Sequence, residues 1–121
     1  MIYTCGIVED EPLAEKMLRK DIGRMSFFRL AWSCAFAEEA APLMQKQPVD
    51  LLFLDVQDAP LRRGTALFEM IRKYRRSIVI TSPYPCEVVA NDLCVVAFLT
   101  KPVSFDRFLE ATESFLETQE Q

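Results

Sequence analysis

The chain has 121 residues, half of them hydrophobic and 26% charged, with a formal net charge of −4. That is the make-up of one ordinary globular domain, long enough to bury a core without disulfides or a structural metal. It contains no histidine, which excludes Ser-His and Cys-His catalysis and the usual zinc sites, and its acidic balance speaks against gripping a nucleic-acid backbone unaided.

Apolar runs and helical patterns alternate along the chain. Ile2–Val8 reads as a strand, with Cys5 packed as a small hydrophobe. Pro12–Arg24 reads as a helix, because Leu13, Met17, Leu18 and Ile22 recur at helical spacing and Pro12 suits a first turn. Phe27–Ser33 is the next strand and Ala37–Gln47 the next helix, weakened by Pro42 unless that residue lies near its start. Then follow the strand Leu51–Asp55, the helix Thr65–Tyr74 and the strand Ile78–Thr81. A poorly signalled segment, 86–93, stands where a fourth helix is due, and Val95–Leu99 is the last strand. The last helix has Ser104 as N-cap and Phe105, Phe108, Leu109, Thr112, Phe115 and Leu116 on its inner face. Strand then helix, repeated with connections too short for anything but crossovers, predicts one domain: a parallel sheet with helices on both faces.

The start reaches acids within nine residues and lacks a basic n-region, so no signal peptide is expected, and no apolar run is long enough to span a membrane. The four scattered cysteines form no metal or redox motif and point to a reducing compartment. The basic cluster Arg72, Lys73, Arg75 and Arg76 ends a helical pattern, where cations offset the helix dipole.

In sheets of this kind, chemistry gathers at the carboxyl ends of the strands. Those ends here read Glu9-Asp10, Asp55, Thr81-Ser82 and Lys101-Pro102. A carboxylate closing a run as apolar as Leu51–Leu54 is costly to desolvate unless something charged or hydrogen-bonding meets it. Clustered carboxylates raise one another's pKa unless a cation neutralises them, and hard oxygen ligands of this sort suit magnesium. Magnesium beside a carboxylate, with a lysine and a hydroxyl opposite, can stabilise an incoming phosphoryl group, and aspartate can itself accept it.

On these residues the chain resembles the response-regulator receiver domains of two-component signalling, the CheY-like superfamily, over essentially its whole length. IVEDEPLAEKML resembles the first strand, acid pair and first helix of that family; DLLFLDVQ resembles the strand bearing the phosphorylated aspartate. IVITS resembles the strand with the switch hydroxyl, and FLTKPVSFDRFL the last strand end, its Lys-Pro and the final helix. The wording of DEPLA, DLLFLDVQ and KPVSFDRFL is most similar to LytTR-type transcriptional regulators. The resemblance implies a flavodoxin-like doubly wound sheet of five parallel strands in the order 2-1-3-4-5. It makes residues 1–121 the N-terminal receiver part of a longer cytoplasmic regulator whose DNA-binding output lies elsewhere.

Carried over by position, it makes Asp55 the phosphoacceptor. Asp10 would bind Mg2+ directly, Glu9 would do so through water, and the backbone carbonyl of Gln57 would complete the ligands with Asp55. Thr81 would hydrogen-bond the phosphoryl group, Lys101 would pair with it through a cis Lys101–Pro102 bond, and Phe98 would be the aromatic switch. The partners implied are a sensor histidine kinase and a second copy, docking through the fourth helix, last strand and last helix. No membrane contact is implied, nor enzymatic activity beyond slow self-dephosphorylation.

The chain also departs from the family. In DVQDAPLRRG, Pro60 and Gly64 each come one place late, and Asp58 takes the place of an apolar residue. Ser82 follows Thr81 where a small alanine is usual, and Pro83 and Pro85 oppose a helix there, so the fourth helix is expected late, short or displaced. These departures keep open a pseudo-receiver, an interaction module that signals without phosphorylation. An aspartyl phosphatase ranks last, because Gln57 stands where such enzymes place a second aspartate.

Overall fold

The computed structural model describes residues 1–57, 64–84 and 93–120. Its strands are β1 (Tyr3–Val8), β2 (Phe28–Cys34), β3 (Leu51–Asp55), β4 (Ile78–Ser82) and β5 (Ala97–Thr100). Its helices are α1 (Pro12–Gly23), α2 (Ala37–Lys46), α3 (Ala66–Tyr74), which runs into a short 3-10 turn, and the C-terminal α4 (Phe105–Gln119). The strands form one five-stranded sheet in the order β2-β1-β3-β4-β5, every neighbouring pair parallel. The expected fold is therefore present. The expected fourth helix lies outside the described residues.

β3 shows why its run is apolar throughout. Leu51 and Phe53 point into a cluster with Leu18, Ile22, Phe108 and Phe115, and Leu52 and Leu54 into one with Trp32, Met44, Met70 and Ile71. α1 and α4 thus cover one face and α2 and α3 the other, which leaves neither side of the strand for a polar residue. Phe53 and Phe108 stack with ring centroids 5.6 Å apart, and Tyr3 meets Phe115 edge-on at 5.2 Å.

Helix starts follow local chemistry. The hydroxyls of Thr65 and Ser104 accept from the N–H groups of Phe68 and Arg107 and so cap α3 and α4. α2 starts without such a cap, but Glu39 accepts from the Phe36 N–H at 3.1 Å, which is half of a capping box. Pro42 lies inside this helix, so the weakening expected of it is tolerated. Ala40 and Met44 are buried at either side of it, and tertiary packing outweighs one missing hydrogen bond.

α1 departs from its expected face. Leu18 and Ile22 are buried, but Leu13 is 63% and Met17 43% exposed, while Asp21 is buried at 8%. The Asp21 carboxyl is held above its usual range by desolvation, and Arg24 and Lys20 only partly offset this.

The sheet makes one unusually close approach. A Cβ on Gly6 would lie 3.0 Å from Trp32 Cη2 and 3.1 Å from Leu52 Cδ1. The ladder between β1 and β2 is irregular at Cys5/Gly6, so the indole lies against bare backbone. Gly6→Ala is expected to destabilise the domain by about 1–3 kcal/mol through overpacking. Gly23→Ala, where a Cβ would meet nothing within 4 Å, serves as its control and leaves stability unchanged or slightly higher. Urea denaturation of the two variants checks the contrast.

Candidate functional site

Each strand delivers its polar residue to the same edge because register is fixed behind it. Asp55 pairs with Thr81 in the β3–β4 ladder, and Ser82 with Thr100 in β4–β5. Beyond the ladders, the Val56 N–H donates to the Thr81 carbonyl at 2.8 Å and the Lys101 N–H to the Ser82 carbonyl at 2.7 Å. The Glu9 N–H continues β1 by donating to the Cys34 carbonyl. The Lys101–Pro102 peptide bond is cis.

At the centre lies the Lys101 ammonium. Its Nζ is 2.6 Å from Glu9 Oε1 and 2.9 Å from Asp55 Oδ1, with the lysine side chain 13% exposed and the two acids 0% and 5%. None of these three atoms lies in an aligned hydrogen bond, so charge and proximity hold the trio together. Burial raises the Glu9 carboxyl above its ordinary range; the nearby ammonium and the Glu11 N–H pull it back, and Asp55 pushes it up again. Burial alone would lower the Lys101 ammonium, but contact with the two carboxylates outweighs it and holds the group above its usual value.

Glu9, Asp10 and Asp55 each offer a carboxylate oxygen, and these lie within 4.8 Å of one another. Set against the single positive charge of Lys101, two negative charges remain uncompensated among these four groups. The donor set is hard oxygen, close-set and net negative, which fits a divalent cation such as magnesium. Of the two adjacent acids, Asp10 is exposed and Glu9 buried.

Two expected residues take positions that their place in the sequence does not reveal. The Gln57 side-chain amide donates to Asp55 Oδ2 at 2.6 Å, so this residue, expected to act through its carbonyl, also engages the acid through its side chain. An amide two residues after the acid, within reach of it, is the only signal of that contact in the sequence. The Ser82 hydroxyl, expected beside a phosphoryl path, accepts from the Tyr84 N–H at 3.1 Å and caps the turn after β4. The Thr81 hydroxyl is buried with no hydrogen-bond partner, a costly state for a polar group. Phe98, half-buried, pairs with Ile80 across β4–β5 and packs against the core cluster that includes Leu54, Ile78 and Ile80. Asp58, Pro60 and Pro85 lie outside the described residues; Gly64 has φ +85°, a conformation glycine readily supplies.

The family model for the response regulator receiver domain matches residues 6–113. A protein of Shewanella oneidensis described as an uncharacterized response regulatory protein is 29% identical over 108 residues, covering 88% of this chain and 45% of its own. The chain thus spans less than half the length of that relative. The response regulatory domain of mrkE from Klebsiella pneumoniae superposes with a TM-score of 0.77 at 24% identity, covering 98% of this chain and 99% of its own. The receiver domain of AraT from Geobacillus stearothermophilus gives 0.76 at 22% identity, with all of both chains covered. At such identities these structures establish the fold.

Lys101→Met leaves two buried carboxylates without their cation and is expected to cost about 3 kcal/mol at neutral pH. The raised ammonium contributes its stability below the ordinary lysine range and loses it as pH rises through the elevated value. In the variant, the deficit against the parent should shrink as acid protonates Glu9, whose carboxyl burial already raises; a deficit that is constant from neutral pH to about pH 4 would show that the trio is not the cause. Millimolar magnesium should raise the melting temperature of the parent. Asp10→Asn should remove most of that gain and, without metal, melt above the parent through relief of repulsion.

Proposed function

The chain belongs to the response regulator receiver domain family, and from that premise we propose that Asp55 accepts a phosphoryl group from a sensor histidine kinase. The observation that carries the reading is the pairing of Asp55, held by Lys101, with a buried and unpartnered Thr81 hydroxyl directly across the ladder. A phosphoryl oxygen on Asp55 would supply the acceptor that the hydroxyl lacks.

In the transfer, an Asp55 carboxylate oxygen attacks phosphorus, the bond from phosphorus to the donor imidazole breaks, and an acyl phosphate forms on the aspartate. Lys101 already neutralises Asp55 and stays in place to pair with the new oxygens. The Gln57 amide leaves Asp55 Oδ2 or follows the new group outward. Asp10, Asp55 and the Gln57 carbonyl would hold Mg2+, with Glu9 acting through water, and the ion would screen the charge building on the phosphoryl oxygens. Drawing Thr81 inward would change the packing around β5, where Phe98 stands across from the preceding Ile80, and so link the site to β5 and α4. That face would carry the change to a second copy and to an output region elsewhere in a longer cytoplasmic protein. The wording of the site motifs favours a LytTR-type DNA-binding output. On this reading the domain is a switch with at most slow self-dephosphorylation, not an enzyme.

The pseudo-receiver reading is favoured by one specific observation: both Asp55 oxygens are already engaged, by Lys101 and by Gln57. Incubation with acetyl phosphate and magnesium, followed by intact mass, distinguishes the two. Phosphorylation predicts the added mass of one phosphoryl group, absent in Asp55→Asn. No adduct on the parent, while beryllofluoride also fails to alter the protein, would overturn it in favour of the pseudo-receiver.

A further inference from the structure

Beside the acid cluster lies a cavity of about 290 Å³ between α1 and the connection from β5 to α4. Leu13, Met17 and Leu18 wall it on one side, Pro102 and Val103 on the other, and Thr81 and Lys101 stand at its inner end. Its size is at the lower end for small-molecule sites, which are mostly apolar with a few placed polar groups.

Three acids, Glu9, Glu11 and Asp21, share this lining with a single cation, Lys101, whose ammonium is committed to Glu9 and Asp55. Asp21 is the group without an evident structural task. It is more than nine-tenths buried, and among the described residues its side chain has neither a hydrogen-bond nor an ion-pair partner. The nearby Arg24 is turned instead over the Phe105 ring, 3.6 Å from its centroid. Asp21 also stands in the last turn of α1, where the helix dipole disfavours negative charge. A carboxylate with these three disadvantages, set in the wall of an apolar cavity whose mouth is formed by exposed Leu13 and Met17, is unexplained by the fold.

We infer that this cavity binds a small amphipathic organic cation, its ammonium meeting Asp21 and its apolar body lying between Leu18 and Val103. An alkyl chain removes apolar wall from water, and the charge supplies the direct ion-pair partner that Arg24 and Lys20, acting on Asp21 only at a distance, do not. The cavity adjoins the phosphoacceptor site through Glu9, Thr81 and Lys101, but the carboxylate that would hold the cation, Asp21, takes no part in the Glu9–Lys101–Asp55 contact.

The test is a titration of the 121-residue protein, followed by amide NMR, with n-hexylammonium and with 1-hexanol as its uncharged counterpart. The expected result is that the ammonium binds at least tenfold more tightly than the alcohol, with shifts centred on Leu13, Met17 and Val103. Asp21→Asn, which removes a desolvated charge and should fold, brings the ammonium down to the level of the alcohol. Val103→Trp, which fills the cavity, abolishes the binding of both. Equal binding of the two ligands by the parent, or ammonium binding that survives Asp21→Asn and is lost in Glu9→Gln, would overturn the inference; the latter would assign the cation to the acid cluster.

Discussion

Lys101 brings its ammonium between Glu9 and Asp55, with very little water around any of the three groups. Each of them alone would be expensive to bury, and each is tolerable only because strand ends from β1, β3 and β5 deliver the others to the same place. The rest of the architecture can be understood from this requirement. The sheet must be parallel so that all these ends share one edge, and it must be covered on both faces so that the register does not slip. The two extra backbone bonds, Val56 to Thr81 and Lys101 to Ser82, tie the residues just past the ladders to β4. A trio of buried charges adds little to stability against an apolar alternative, so stability by itself does not account for it.

The same reasoning explains which parts of the edge are poised. Ser82 spends its hydroxyl on the turn that follows, and is thereby structural. Thr81, one residue earlier, spends its hydroxyl on nothing. Neighbouring residues of one chemical kind are thus separated by a single criterion, whether the polar atom is already satisfied. Gln57 falls between the two, since its amide is occupied by the very acid whose reactivity is in question.

Much of this is legible from residues alone. The boundaries of β3 agree with expectation because its apolar run has hard edges, Asp50 on one side and Val56-Gln57 beyond the acid on the other. β2 and β5 are displaced by one or two residues, since their flanks are apolar and the hydrogen-bond ladder decides where they end. The face of α1 differs from expectation for another reason. Helical spacing shows which residues share a side, but not how wide the neighbouring surface is. α1 meets the sheet through Leu18 and Ile22, leaves Leu13 and Met17 at the rim, and carries Asp21 inward. The inner face of α4 agrees at Phe108, Thr112 and Phe115 but also includes Ala111, whose small side chain gives no periodic signal. The charge-linked contact of Lys101 with Glu9 spans two separate strands and has no local signature at all.

The lone tryptophan gives one of the two faces an optical identity of its own. Trp32 donates its indole N–H to the Gln47 carbonyl at 2.9 Å and rests against Gly6, on the side covered by α2 and α3. The cavity beside Asp21 and the aromatic stack of Phe53 with Phe108 are on the opposite side. Tryptophan emission therefore follows the melting of the α2–α3 layer, whereas a ligand lodged under α1 changes it only by moving β1 itself. Silent fluorescence in such a titration measures the rigidity of that strand and leaves the occupancy of the cavity to other probes.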